Sequence, residues 1–275
     1  MRPLDLEDDF EPFEDDADLA VIGPSDNRVQ EIRTTQFPWN TVVHLCRDFG
    51  SGNCSGCSGM LIGPRHVLTA GHCLYSLKRN ASPKTIRVLP GRRDRRTLPY
   101  GSFPAKSWYL PRAFVRGPER VSNDWGVIVL RDPVTRVRQF MPMHAASDAE
   151  LKWLSMHGQV SIAGYPSDRP VGTMWRHSEH LRRVTPKRLF YTVDTCPGHS
   201  GSAICARLPA AGPRIVGIHT AGILDEQGRT YGCNRATVLA PAGALNSGIR
   251  LTPAIVQAIR NPAAAVQKGI LVRYP

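Results

Sequence analysis

The sequence predicts an all-β protein, on three observations: short β-branched and apolar runs, Gly and Pro punctuation between them, and a helix signal confined to the C-terminal end. The runs are Thr41 to Leu45, Met60 to Ile62, Val67 to Thr69, Thr85 to Leu89, Gly126 to Leu130, Gln159 to Ala163, Ile215 to His219 and Ile249 to Leu251. Each is short enough for a strand and too short for a stable helix. Near the end Thr252 followed by Pro253 reads as an N-cap and a first helical position, which predicts a short helix over about 253 to 260. Residues 1 to 20 are highly charged and poor in apolar side chains, so they read as a detachable or disordered acidic head.

A chain of 275 residues holds one all-β unit of two packed barrels, or two ordinary domains. No stretch approaches the run of about 20 apolar residues that a spanning helix needs, so no membrane partner is expected. The net charge of +12 hides an asymmetry. The first 20 residues carry nine acids and one base, a net of −8, which leaves +20 on the rest. Such a basic body attracts polyanions, but its Lys and Arg lie scattered among Pro and Gly rather than along a recognition helix or a stacking platform. Nucleic acid is therefore not expected as a partner. Seven cysteines point to an oxidising compartment, and the odd number leaves one thiol over. Cys54 and Cys57 form a C-x-x-C, yet no second pair follows at finger spacing, which makes metal the weaker account. Secretion is the expectation, with a signal segment not present in this sequence.

Activating a serine hydroxyl at neutral pH requires an imidazole to take its proton and a buried carboxylate to fix that imidazole. Thr69-Ala70-Gly71-His72-Cys73 ends an apolar strand, and Cys57 lies 16 residues earlier across what reads as a hairpin, where a disulfide would clamp the histidine loop. Gly198-His199-Ser200-Gly201-Ser202 is a serine in a tight turn, whose small neighbours let backbone N–H groups face a developing oxyanion. Asp94, Asp132, Asp148, Asp168 and Asp194 read as solvated or turn-forming. Asp124 alone opens a buried-looking strand, Trp125 to Leu130. The candidates are thus His72, Asp124 and Ser200, with Gly198 and Ser200 as oxyanion donors. His44, His66, His144, His157, His177 and His180 read as structural, and Arg92, Arg93, Arg95 and Arg96 as a solvated loop.

These residues resemble the chymotrypsin-like serine proteases, and among them the bacterial glutamyl endopeptidases. The resemblance runs from about Val21 to Arg260 and is carried by motifs in the family's order: Val21-Ile22-Gly23-Pro24, Ile62-Gly63-Pro64, the His72 segment, Pro90-Gly91-Arg92, Pro99-Tyr100-Gly101-Ser102, Gly164-Tyr165-Pro166 with Thr173-Met174-Trp175, Asp194-Thr195, Ser200-Gly201-Ser202 and Gly217-Ile218-His219-Thr220. It implies two six-stranded antiparallel Greek-key barrels, roughly 35–135 and 150–252, in a protease domain of 21–275 preceded by an acidic prosegment of 1–20. It also implies a monomeric endopeptidase that needs no cofactor or metal, acts on polypeptides and cuts after Glu or Asp. Thr195, His219 and the amino terminus of Val21 would then read the acidic side chain.

The sequence departs from that pattern at three places. Pro197 stands where relatives usually carry Gly, His199 where trypsin-type zymogens carry an Asp, and 223–245, with Cys233, read as an insertion. The resemblance suggests Cys46 with Cys54 and Cys196 with Cys233 beside Cys57 with Cys73, leaving Cys205 free. Two rivals remain: the same hydrolase with another side-chain preference, and a silent protease-like binding module, which a lost triad member would mark.

Overall fold

A computed structural model describes residues 22, 25–117, 119–222 and 245–275. After an edge strand β1 (Val29–Glu31), the chain winds β2 (Val42–Asp48), β3 (Ser55–Gly63), β4 (His66–Thr69), β5 (Thr85–Pro90) and β6 (Phe103–Pro111). A single helical turn α1 (Arg112–Arg116) then leads toward β7 (Gly126–Leu130). The six strands β2 to β7 close on themselves, because β6 pairs with both β5 and β7. Closure removes the sheet edges, so these strands face either the barrel interior or a neighbouring layer. That is why β2 and β4 read as near-continuous apolar runs: Val42, Val43, Leu45, Val67 and Leu68 are all buried.

Helix α2 (Asp148–His157) follows, then β8 (Val160–Gly164), β9 (Met174–Glu179), β10 (Leu181–Val184), β11 (Arg188–Tyr191), β12 (Ala203–Leu208), β13 (Gly212–Gly222) and β14 (Asn246–Arg250). They form a curled half-barrel in the order β1-β9-β8-β12-β13-β14-β11-β10. The two sheets share apolar contacts: Ala163, Met174, Ile215 and Ile218 of the second lie in the same core as Val43, Leu61 and Val127 of the first. The chain ends in α3 (Pro253–Arg260), α4 (Pro262–Gln267) and β15 (Leu271–Tyr274), and β15 returns to pair with β6 of the first barrel.

All eight runs read as strands overlap strands. The C-terminal helix starts as expected: Thr252 Oγ1 accepts from Ile255 N, Pro253 is the first helical residue, and Val256 and Ile259 turn one face inward. Helix α2 was not anticipated. Its start carries a full capping box, in which Ser147 Oγ accepts from Glu150 N while Glu150 accepts from Ser147 N. Two disulfides join Cys46 to Cys54 and Cys57 to Cys73, and Cys205 is free. Both sulfurs of the C-x-x-C are thereby committed to disulfides. Cys233 lies outside the described residues, as do Val21, the acidic head and most of the 223–245 insertion.

Two readings of charged residues need correction. Arg92 is not in a solvated loop but fully buried, its guanidinium donating to the carbonyls of Asp94 and Arg95 and lying 3.0 Å from His44 Nδ1. Burial pulls its pKa down to about 10. Asp194 and Asp168 are likewise engaged: Asp194 is buried and accepts from Asn27 N at 2.9 Å, and Asp168 takes two hydrogen bonds from the buried guanidinium of Arg28. The partners of Asp194 and Asp168 are distant in sequence.

Candidate active site

His72 sits just past β4, and its position follows from the loop around it. The Cys57–Cys73 disulfide ties the loop to β3, with Cα atoms 6.2 Å apart. Arg47, buried on β2, donates through Nη1 to the carbonyl of His72 and through Nη2 to Ser55 Oγ and the Gly56 carbonyl. Gly71 leaves room for the acid: a Cβ there would stand 3.1 Å from Asp124 Oδ1. Asp124, immediately before β7, then reaches His72 twice. Its Oδ1 accepts the His72 backbone N–H at 2.8 Å, and its Oδ2 lies 2.7 Å from Nδ1. With Nδ1–H held by the carboxylate, Nε2 is the basic nitrogen of the ring.

Ser200 lies in the turn between Thr195 and β12, and the turn is packed against the same loop. Its carbonyl accepts from Ser58 N at 2.9 Å, and Cys73 Sγ, one residue from His72, is 3.5 Å from that carbonyl. His72, Asp124 and Ser200 are all buried where the two sheets meet. Strand β13 runs beside the serine turn, with Gly201 N donating to His219 O and His219 N to Ser202 O, both at 2.8 Å.

The His219 ring is buried, and its Nδ1 lies 2.7 Å from Tyr191 Oη. Burial depresses its pKa well below the ordinary histidine value, and the nearby His199, His72 and Arg188 push the same way, so the ring is neutral. Thr195 is fully buried five residues before Ser200, and the Asp194–Asn27 hydrogen bond brings the segment after Ile22 against it. Ile22 itself is buried.

Three neighbours of this site, Tyr191, Arg188 and Ser58, were not legible in the sequence, whereas His199 was singled out beside Ser200. Tyr191 contacts His219. Arg188, buried, donates to Thr220 Oγ1, Ser247 Oγ and the Val121 carbonyl. His199 is buried with its pKa pulled down to about 4 by desolvation and by the positive Arg28. Ser58 joins β3 to the serine turn. Only the Cys57-Ser58 adjacency offered a signal for any of the three.

Among the described residues one group of three metal-capable side chains comes within 4.8 Å, namely Cys57, His72 and Cys73. It does not fit a metal: the two sulfurs are bonded to each other, and Nδ1 is engaged by Asp124.

A closed barrel and a curled half-barrel meeting over a histidine, an aspartate and a turn-borne serine define a trypsin-like two-barrel protein. The Trypsin family profile matches residues 27–240, and the chain belongs to that family. It is 34% identical over 224 residues to the glutamyl endopeptidase of Bacillus licheniformis, covering 79% of this chain and 65% of that protein. It is 29% identical over 204 residues to a Bacillus subtilis protein described as an extracellular metalloprotease, covering 74% and 63% respectively. The chain thus spans a little under two thirds of the length of both relatives. A solved Glu endopeptidase in complex with MPD superposes with a TM-score of 0.69 at 26% identity, over 89% of this chain and all of that one. No helix among the described residues is long and apolar enough to cross a membrane.

Proposed function

We propose that this protein is a secreted serine endopeptidase that cleaves after acidic residues, chiefly Glu. The observation that carries the reading is the double hold of Asp124 on His72 beside the Ser200 turn. Ser200 Oγ attacks the scissile carbonyl while His72 Nε2 takes its proton and later returns it to the leaving amine. Asp124 fixes the tautomer and stabilises the imidazolium that forms. The N–H groups of Gly198 and Ser200 receive the oxyanion. Water then repeats the sequence on the acyl-enzyme.

His219 and Thr195 supply the acidic preference. A buried substrate carboxylate must be met by donors, and a neutral imidazole N–H with a threonine hydroxyl provides them without an Arg or Lys in the pocket. Residues 1–20 are a prosegment whose removal frees the amino group of Val21 for the same pocket. Support comes from the burial of Ile22, the residue after Val21, and from the hydrogen bond of Asn27 N to Asp194, the neighbour of Thr195. The two disulfides fit an oxidising exterior.

Digestion of a peptide library, read by mass spectrometry, tests the assignment. Cuts concentrated after Glu and Asp, and stronger with a chain beginning at Val21 than with the full chain, are expected. Cuts after Arg or Phe without acidic preference would overturn the specificity, and no cutting by either form would overturn the activity.

A further inference from the structure

The serine turn is pinned from outside, one peptide at a time. In a trans peptide the carbonyl and the following N–H point in opposite directions, so an anchored carbonyl dictates where the next amide aims. The Pro197 carbonyl accepts from Ser167 N at 2.8 Å and from Ser167 Oγ at 3.1 Å, which turns the Gly198 N–H away from Ser167. The Gly198 carbonyl accepts from Ser58 Oγ at 2.6 Å. The His199 carbonyl accepts from Ser202 N at 2.9 Å, which turns the Ser200 N–H outward in the same manner. Finally the Ser200 carbonyl accepts from Ser58 N.

Ser58 is the hub of this arrangement. Its hydroxyl accepts from Tyr165 N at 2.9 Å while donating to Gly198, and its own carbonyl is held by Thr69 Oγ1 at 2.8 Å. With a donor engaged on one side and an acceptor on the other, the fully buried hydroxyl has one orientation. The conformation it holds is one that needs holding: Gly198 has φ of +95°, and a Cβ there would meet the Tyr165 carbonyl at 2.4 Å. A glycine so placed is free to rotate its peptides unless its carbonyl is tied. Pro197 offers the turn no N–H, so its carbonyl, held by Ser167, is the handle on the Gly198 amide.

We propose that Ser58 and Ser167 are positioning residues of the serine turn: Ser167, on the Pro197 carbonyl, aims the oxyanion-binding amide of Gly198, and Ser58 fixes the Gly198–His199 peptide that lies between the two oxyanion-binding amides. This rests on the serine-endopeptidase reading above. Ser58→Ala removes the tie on Gly198 and strands the Tyr165 N–H, and losing one oxyanion donor altogether costs about 10²- to 10³-fold. A donor left in place but loosely aimed lowers kcat by about 10- to 100-fold. Ser167→Ala keeps the backbone hydrogen bond to Pro197 and loses only the hydroxyl, for a fall of about 3- to 10-fold. KM moves little in either variant, because the oxyanion forms after substrate binds.

The test measures kcat, KM and melting temperature for Ser58→Ala, Ser167→Ala and Ser167→Thr, together with inhibition by a peptide aldehyde, whose tetrahedral adduct places an oxygen in the same hole. The expected result is a fall in kcat matched by an equal fall in aldehyde affinity, with Ser167→Thr restoring both. Ser167 is exposed, so its pair of variants decides the matter even if Ser58→Ala fails to fold. Unchanged kcat in the Ala variants, or a loss of kcat with aldehyde affinity intact, overturns the proposal. A wild type that neither turns over nor is labelled at Ser200 by a fluorophosphonate overturns the underlying reading instead.

Discussion

On the proposed specificity, replacing Tyr191 by Phe should weaken cleavage after acidic residues while leaving the hydrolytic machinery in place. His219 is neutral, so its ring carries one hydrogen, and the tautomer decides whether the ring donates to a substrate carboxylate or repels it. The Tyr191 hydroxyl lies 2.7 Å from Nδ1, and donation from it there would leave the ring hydrogen on Nε2. Phe removes that donor and leaves a fully buried ring nitrogen unsatisfied, a loss of about 1 to 3 kcal/mol. If that loss falls on the carboxylate contact, kcat/KM for a Glu substrate drops by roughly 5- to 150-fold, at about 1.4 kcal/mol per tenfold. The assay compares matched peptides with Glu or Gln before the cut, in wild type and Tyr191→Phe. Glu cleavage should fall by that factor and Gln cleavage by less than about twofold. Equal falls for both peptides, or no fall for Glu, would refute the tautomer argument.

Asp124→Asn keeps the shape but reverses the tautomer control, so kcat should fall by about 10⁴ with KM nearly unchanged, the fall seen for this replacement in the family; steady-state kinetics on one peptide decides it. Acid should destabilise the fold between about pH 6.5 and pH 4. His199 has its pKa lowered to about 4 in the fold, so an unfolded chain gains a proton there that the native state refuses. Stability on the order of 3 kcal/mol from this group is present above pH 6.5 and lost as pH falls to 4, with His44 and His219 acting in the same direction. Melting temperature against pH should show that decline, and a flat profile across this range would contradict it. Glu31 adds a second, more acidic loss. Burial alone would raise its carboxyl, but hydrogen bonds from Arg33 and Arg176 outweigh this and hold it at about 2, so its contribution disappears as pH falls from about 4.5 to 2. Removing the Cys57–Cys73 bridge with a double Ala variant opens a loop of 16 residues and should lower unfolding free energy by about 3 kcal/mol in urea titration.

Strands that carry an uninterrupted apolar or β-branched run were legible; those whose runs are broken by charged side chains were not, even where, as in β11, every residue is buried. Strand β9 carries Arg176, His177, Ser178 and Glu179, and β10 carries Arg182 and Arg183, so neither shows an apolar run long enough to see. Helix α2 had its capping box in plain sequence, but only Leu151 and Leu154 are buried on it, too thin a stripe to mark ten residues as helical. At the candidate site, residues marked by local sequence were legible: the Ser200 turn, the His72 loop, and Asp124 two residues ahead of β7. What was hidden is what comes from elsewhere in the chain. Arg47 reaches His72 across 25 positions, Tyr191 reaches His219 across 28, and Ser58 reaches Gly198 across 140. Asp194 read as solvated because its partner Asn27 lies 167 positions away, and Arg92 because no local pattern marks a polar side chain that the rest of the fold will cover.

Labelling with a fluorophosphonate followed by peptide mapping tests most directly whether His72, Asp124 and Ser200 act as one unit. The account predicts one adduct per chain, on Ser200, with activity lost in step with labelling. Ser200→Ala and His72→Ala should each be unlabelled and slower by about 10⁵ to 10⁶, and the double variant barely slower than either. An adduct on another residue, or a purified Ser200→Ala protein with wild-type activity, would contradict it.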